Sequence, residues 1–320
     1  MLPFMFFAYS KSGPAWDSLR RIKKSGAFGF GKIHIRQSGS DPTHLLIGIG
    51  QMHPVLQGRF ERFQAARIAH IQTWIFRLCV RLASDEGVRA FGEEGFGASV
   101  RSSEEFRVAA DALQKLRPEL ASCGSPGKFL RWTAQRWRRA LQRGDADEAQ
   151  RLLLPLNALT ILQMMDENVH LFPLEQTDVH GAVGTGVDIL QEKIFAIERS
   201  PAYQAARTRS NAVPFAQQKA AVDERNDLVS AFNRLLSDPA RDQWIFAAAT
   251  ERARLAPVTA FVLGQGHRSG MLTLAKEHLP EDVLFIWVTP PQLWLWQAVL
   301  KSIGWGLLLA VTLTLAVLAW

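Results

Sequence analysis

Two stretches of this chain carry the same short pattern, and it limits the fold more than any other feature. Leu45 to Pro54 reads LLIGIGQMHP, an apolar run that ends in Gly50-Gln51-Met52-His53. Far downstream, Phe261-Val262-Leu263 runs into Gly264-Gln265-Gly266-His267. Each stretch reads as a buried strand that stops at a glycine and delivers a histidine three residues later. A glycine there permits a sharp turn or the close approach of a ligand. In open α/β sheets, ligands sit beyond the carboxyl ends of the strands, so the two histidines are placed to face one crevice. The plainer alternative is a pair of capping or core histidines, and spacing alone does not separate the two.

A chain of 320 residues is long enough for one large α/β domain or two smaller ones. Its 48% apolar and 21% charged residues describe a globular protein with an ample core. The net charge of +7 favours anionic partners such as lipid head groups or nucleic acid, although a moderately basic surface is the commoner source of such a balance. Cys79 falls in an apolar helical pattern and Cys123 in a Ser-Cys-Gly-Ser loop, so neither a disulfide framework nor a zinc knuckle is indicated, and a reducing compartment fits.

Residues 1–30 form an N-terminal segment. Its apolar start lacks the charged beginning and long core of a secretory signal, and Ser18 to Lys24 reads as a basic, solvated stretch. Residues 31–290 read as the α/β domain, a central mixed β-sheet flanked by helices, with a helical insertion around 100–165. Strands are expected at Lys32–Arg36, His44–Gly50, Val88–Phe91, Val169–Glu175, Thr259–Leu263 and Asp282–Val288. Pro173 points to a place near an edge or bulge. The Val88 strand closes in Gly92-Glu93-Glu94-Gly95-Phe96, where two carboxylates between glycines are poorly explained by packing.

Arg59 to Ala83 carries a long buried stripe. Ser103 to Arg143 reads as helical and strongly cationic at its end. There Lys128, Arg131, Arg136, Arg138, Arg139 and Arg143 alternate with Phe129, Trp132 and Trp137. A solvated face is the plainer reading; contact with an anionic lipid surface, with tryptophans at the interface level, is the functional one. Nucleic acid is not the expected partner. Asp145 is placed to cap a helix running to Met165. In Gln217–Leu236, Arg225 falls on the apolar stripe, where a charge is costly unless paired. A carboxylate is its natural partner, with Glu93 or Glu94 as the candidates.

Composition then changes. From Leu293 to Trp320 the only charge is Lys301. Residues 303–320 would span about 27 Å as a helix, enough for a hydrocarbon core. Residues 293–320 therefore read as one C-terminal transmembrane helix with Trp294, Trp296, Trp305 and Trp320 at interface positions. The main domain would stay cytoplasmic.

Taken in order, Gly50 to His53, the glutamate after the Val88–Phe91 strand, Glu224-Arg225-Asn226 on a helix, and Val262 to His267 form a set. This set resembles the TraB/PrgY/GumN group and the Tiki proteases, in a superfamily with erythromycin-esterase-like and ChaN-like proteins. The resemblance spans roughly residues 44–290. It implies an α/β fold in which both Gly-x-x-His motifs, a glutamate and an arginine share a pocket. Some members are described as metal-dependent proteases, others as esterases, and ChaN-like members as haem binders. His53, Glu94, Arg225 and His267 are then the site residues, with Glu93, Asn226, Gly50 and Gly264 behind them. His53, Glu94 and His267 would be the ligands of a divalent metal. The double Glu93-Glu94 leaves two assignments, and Glu94 is favoured because it directly precedes Gly95-Phe96. Gly50-Gln51-Met52-His53 lacks the threonine often found after the first glycine of Tiki-like motifs.

Two functions compete. One is a membrane-anchored hydrolase, either metal-dependent or using His53 as general base with Arg225 stabilising an oxyanion. The other is a non-catalytic protein at the membrane that binds a ligand such as haem, or acts as a scaffold.

Overall fold

The computed structural model describes residues 12–52, 61–94, 114–143, 145–174, 186, 189–190, 192–236 and 239–293. The elements follow in chain order: α1 (Pro14–Lys24), β1 (Lys32–Gln37), β2 (His44–Gln51), α2 (Glu61–Asp85), β3 (Ala90–Glu93), α3 (Pro126–Arg143), α4 (Ala146–Arg151), α5 (Ala158–Met165) and β4 (His170–Pro173). After these come α6 (Pro201–Thr208), α7 (Phe215–Leu236), α8 (Pro239–Ala253), β5 (Val258–Gly264), α9 (Arg268–His278) and β6 (Val283–Thr289).

The strands form one mixed sheet in the order β1-β6-β2-β5-β3-β4. Only the β1–β6 pairing is antiparallel. Parallel strands need crossover connections, and helices on both faces then bury them completely. That is why β2, β5 and β6 read as near-continuous apolar runs: every residue of β5 and β6 is buried. The fold class is therefore α/β, with a mixed sheet flanked by helices.

Side chains alternate across the sheet and sort the core into two layers. Leu45, Ile47, Ile49, Ala260, Val262, Leu284, Ile286 and Val288 face the layer that includes α1, α2, α3 and α5. Leu46, Phe261, Leu263, Phe285 and Trp287 face the layer of α8 and α9. The second face carries a row that runs across five strands in register: Trp287, Gly48, Phe261, Gly92, Phe172. Large rings and glycines alternate along it. A Cβ at Gly48 would lie 2.8 Å from Trp287 Cε3 and 2.9 Å from Phe261 Cζ. The two rings meet edge to face over that gap, with centroids 6.3 Å apart, a favourable aromatic geometry.

Several sequence expectations change. Ser18–Lys24 is part of the amphipathic helix α1, which buries Trp16, Leu19 and Ile22 against the sheet. The expected helix over 103–143 is broken: residues 114–122 are helical, and α3 restarts at Pro126. The expected 145–165 helix is interrupted by a 3-10 turn at Leu154–Leu156, where Pro155 cannot donate to a helix ladder. Asp145 does cap α4, accepting from Glu148 N at 2.9 Å. Pro173 lies in β4, an edge strand. No helix among the described residues is long and apolar enough to cross a membrane. The proposed span falls outside them except for Leu293, which packs in the core.

Gly48→Ala should cost about 1–3 kcal/mol, the usual effect of overpacking a core. Gly266→Ala, with no atom within 4 Å of its would-be Cβ, should cost far less. Urea unfolding of the two variants beside the parent checks the difference.

Candidate active site

The sheet register fixes where the site begins. Glu93 pairs with Val262 across β3 and β5, so the next residue, Glu94, lies level with the end of β5. Alternation then sends the two glutamates to opposite faces. Glu94 enters the α8–α9 side and Glu93 the α2–α5 side.

On the α8–α9 side four charged groups are gathered out of water. Gly264 N–H donates to Glu94 Oε2 at 2.8 Å. Arg241 Nη2 donates to Glu94 Oε1 at 2.7 Å. The Nε2 of His267 lies 3.2 Å from the same oxygen, and its Nδ1 lies 2.5 Å from Asp242 Oδ1. Side-chain exposure is only 5% for Arg241 and His267 and 6% for Glu94. Each member is placed by a different element. Glu94 follows β3; a 3-10 turn, Gln265–His267, carries His267 off β5; Arg241 and Asp242 sit in the first turn of α8. An acidic residue in a first turn is favoured by the helix dipole. Gly270 in α9 completes the fit, because a Cβ there would collide with Asp242 Oδ2.

Burial lowers the basicity of His267. Its hydrogen bonds to Asp242 and Glu94, with the charge of Glu94, outweigh that loss against the opposing charge of Arg241, and the pKa rises to about 9. The imidazole is therefore protonated at neutral pH. Two carboxylates then face one guanidinium and one imidazolium, so the charges of these four side chains balance, which favours their burial.

Glu93 is a different kind of acid. Burial pushes its pKa up to about 8 against a hydrogen bond from Asn157, with the charge of Glu94 adding to the rise. Asn157 Nδ2 donates to Oε1, while Oε2 is buried with no hydrogen-bond partner among the described residues. Asn157 also caps α5 through its Oδ1, which accepts from Leu159 N at 2.8 Å. Nearby, Gln72 Nε2 donates to Gln51 Oε1 at 3.1 Å and Gln72 Oε1 accepts from Ala158 N at 2.9 Å. These bonds place Gln51, within the first Gly-x-x-His motif, on the Glu93 side.

The expected site is thus partly assembled. Glu94 and His267 meet, and Gly264 supplies a backbone donor. Gly50 lies on the same face, where a Cβ would strike Gln265 Oε1. His53 lies outside the described residues. Arg225 is a correction: it reaches neither glutamate, and its Nε donates instead to Glu198 Oε1 at 2.9 Å. The stripe position is a half-buried one, with 14% of the arginine side chain and 20% of its partner exposed. Asn226 is exposed on the same helix. The arginine of the cluster is Arg241, and Asp242 was not anticipated. Both lie on α8, a helix absent from the sequence reading. Its signals were present: Pro239 at the start, Asp242 in the first turn, and Ile245, Phe246, Ala249 and Ala253 at helical spacing.

Of the three ligands expected for a divalent metal, His53 lies outside the described residues. Both ring nitrogens of His267 are engaged by carboxylates, and Arg241 Nη1 lies 3.4 Å from Nε2, so a cation there would have to displace these contacts. Metal ligation needs a neutral imidazole. Among the described residues no group of three His, Cys, Asp or Glu is arranged to hold a metal. Compared with known protein families, with curated proteins and with solved structures, the chain matches none.

Removing Arg241 takes one charged donor from the buried Glu94, so Arg241→Ala should cost about 3–5 kcal/mol. Arg225→Ala breaks a more exposed pair and should cost about 1 kcal/mol or less. Denaturant midpoints of the two variants test which arginine the core depends on. For Glu93 the sign is set by its raised pKa: the folded protein keeps a proton that the unfolded chain releases near 4.5. Stability should therefore fall as pH rises from 4.5 through about 8. Glu93→Gln should flatten that fall, read as melting temperature against pH.

Proposed function

We propose that the chain is a hydrolase held at a membrane, with its centre at the carboxyl ends of β2, β3 and β5. The observation that carries the reading is the buried cluster of Glu94, Arg241, Asp242 and His267. Ionisable groups with strongly shifted pKa values in such a position are functional-site candidates, and the ends of parallel strands are where α/β sheets bind ligands. The motif order that resembles the TraB/PrgY/GumN and Tiki group supports the same reading.

In this proposal His267 works as an acid. Its proton, held by Asp242 and Glu94, passes to the leaving group of an ester or amide. His53 accepts the proton of the attacking water. Arg241 and Asp242 act as positioning residues: Arg241 fixes Glu94, and Asp242 fixes the ring of His267. Arg241 takes the place expected for Arg225. The membrane part of the proposal rests on residues 293–320, where Lys301 is the only charge. They would form a single anchor with the domain on the cytoplasmic side.

A second reading, a ligand-binding or scaffold protein at the membrane, is favoured by one observation. Both nitrogens of His267 are already satisfied within the cluster.

The test is hydrolysis of a panel of ester and peptide substrates by the full chain. His267→Gln should lower kcat by about 10²–10⁴-fold, the usual contribution of a positioned acid or base. The parental rate should hold through neutral pH and fall as pH passes about 9, where the imidazolium loses its proton. A folded His267→Gln variant with full activity would sink the acid role. A rate that rises through that pH would assign His267 as a base. If the folded parent hydrolyses nothing in the panel, the scaffold reading takes over.

A further inference from the structure

The cationic helix α3 divides into a neutralised part and a free part. Arg136 and Arg143 both pair with Glu148 of α4, the first at 2.9 Å. Arg136 also lies over the Trp132 ring, 4.9 Å from its centroid. Trp137 is buried in the core and Trp132 is half-buried. Of the two tryptophans expected at an interface, Trp137 is taken up by packing, and Trp132 stays partly exposed.

What remains is one solvent stripe. Lys128, Arg131, Gln135, Arg139 and Gln142 are exposed and recur at three- and four-residue steps. From Lys128 to Gln142 the stripe runs about 21 Å along the helix. No acidic residue occurs in α3. Among the described residues, no carboxylate pairs with Lys128, Arg131 or Arg139.

The start of this helix is linked through α2 to the last described residues. A Cβ on Gly127, at the start of α3, would sit 3.0 Å from Thr73 of α2. Six residues back along α2, about 9 Å, Arg67 Nη2 donates to Gln292 O at 3.1 Å. Beyond Leu293 the sequence carries one charge, Lys301, in 27 residues.

We propose that Lys128, Arg131 and Arg139 form a docking face for an anionic lipid bilayer, laid against the membrane beside the emerging C-terminal segment. The proposal rests on the membrane reading above but does not need the hydrolase. The charge complementarity is specific: three cations share the stripe with Gln135 and Gln142, and none of the three pairs with a carboxylate among the described residues. A nucleic acid would meet the same charges, but the bilayer also fits the charge-poor sequence of residues 294–320, which follows the Gln292 that Arg67 of α2 holds.

The experiment is a competition. The full chain is offered a mixture of neutral phosphatidylcholine vesicles and vesicles containing phosphatidylserine, separable by density. The ratio bound to the two reads anionic preference whether or not an anchor inserts. The parent should favour the anionic vesicles about 100-fold, the size expected for three surface cations. The Lys128→Gln/Arg131→Gln/Arg139→Gln variant should bring the ratio close to one, and high salt should do the same to the parent. A control variant, Lys23→Gln/Lys24→Gln/Lys276→Gln, removes three other exposed cations and should keep most of the preference. Equal loss in the control would mean that net charge alone acts, and would overturn the docking face. So would an unchanged ratio in the α3 variant. Tight, salt-sensitive binding of duplex nucleic acid without lipid preference would replace the partner. Total binding to neutral vesicles reads the anchor separately. Its absence, with the anionic preference intact, would sink the anchor and leave the docking face standing.

Discussion

The carboxylate of Glu94 has lost its water, and the structure around it is arranged to replace that water. A buried charge is tolerated only when it is paired and hydrogen-bonded. Glu94 obtains its donors from Gly264 at the end of β5, from Arg241 on α8 and from His267 on the turn into α9. One side chain after β3 thus ties together three segments that are distant in sequence. The dependence runs the other way too. Arg241 and His267 could not be buried as cations without Glu94 and Asp242. Gly270 must lack a side chain so that Asp242 can reach the ring. No single member of this set is stable in place alone, so the cluster behaves as one unit and its members should not be additive.

The row of rings and glycines on the same face explains how the sheet delivers Glu94 to that position. Trp287, Phe261 and Phe172 need more width than neighbouring strands allow, and Gly48 and Gly92 supply it. Gly92 thereby fixes β3 in register beside Phe261. Two residues further, on the same face, comes Glu94. The residue between them, Glu93, is committed to the other face by the period of two. Adjacent glutamates thus meet opposite fates. One is ionised among donors, and the other keeps its proton in a mostly apolar layer with a single amide donating to it.

Much of this was legible in the sequence, and the parts that were not have physical reasons. Strands buried on both faces announce themselves as apolar runs, and their glycine ends marked where Glu94 and His267 would converge. Strand alternation at Gly92-Glu93-Glu94, readable in the sequence, sends Glu94 to the face of His267 and Glu93 to the other. Arg225 shows a limit of periodicity. A helical stripe tells which side of a helix a residue occupies, not which partner meets it, and Glu198 lies in a neighbouring segment whose packing no pattern reveals. Arg241 and Asp242 were missed because their value lies in the turn at the start of α8, where a polar Pro-Ala-Arg-Asp reads as solvent-facing. In the fold that turn points into the sheet end. Trp137 illustrates a related limit, since an aromatic residue beside arginines fits a membrane interface and a helix packing seam equally well, and here it is buried in the core.

The state of His267 follows from the framework and constrains any chemistry built on it. A ligand to a cation, or a general base, must present an unprotonated nitrogen. Here burial favours the neutral ring, but two carboxylates on its two nitrogens override burial, and the proton stays. To free a nitrogen, the site would have to break the 3.2 Å contact with Glu94 or the 2.5 Å contact with Asp242. The first would also disturb Arg241, which shares the same carboxylate oxygen. The second would leave Asp242 against Gly270 without its partner. Either change has to be compensated by an incoming group that brings its own positive charge or takes the proton. A proton donor to a departing alkoxide or amine meets that condition: the proton leaves with the departing group, and the neutral ring left between two carboxylates takes up a new proton from water. The acid role proposed for His267 is the one that asks the ring to give up the proton it already holds, rather than to shed it beforehand.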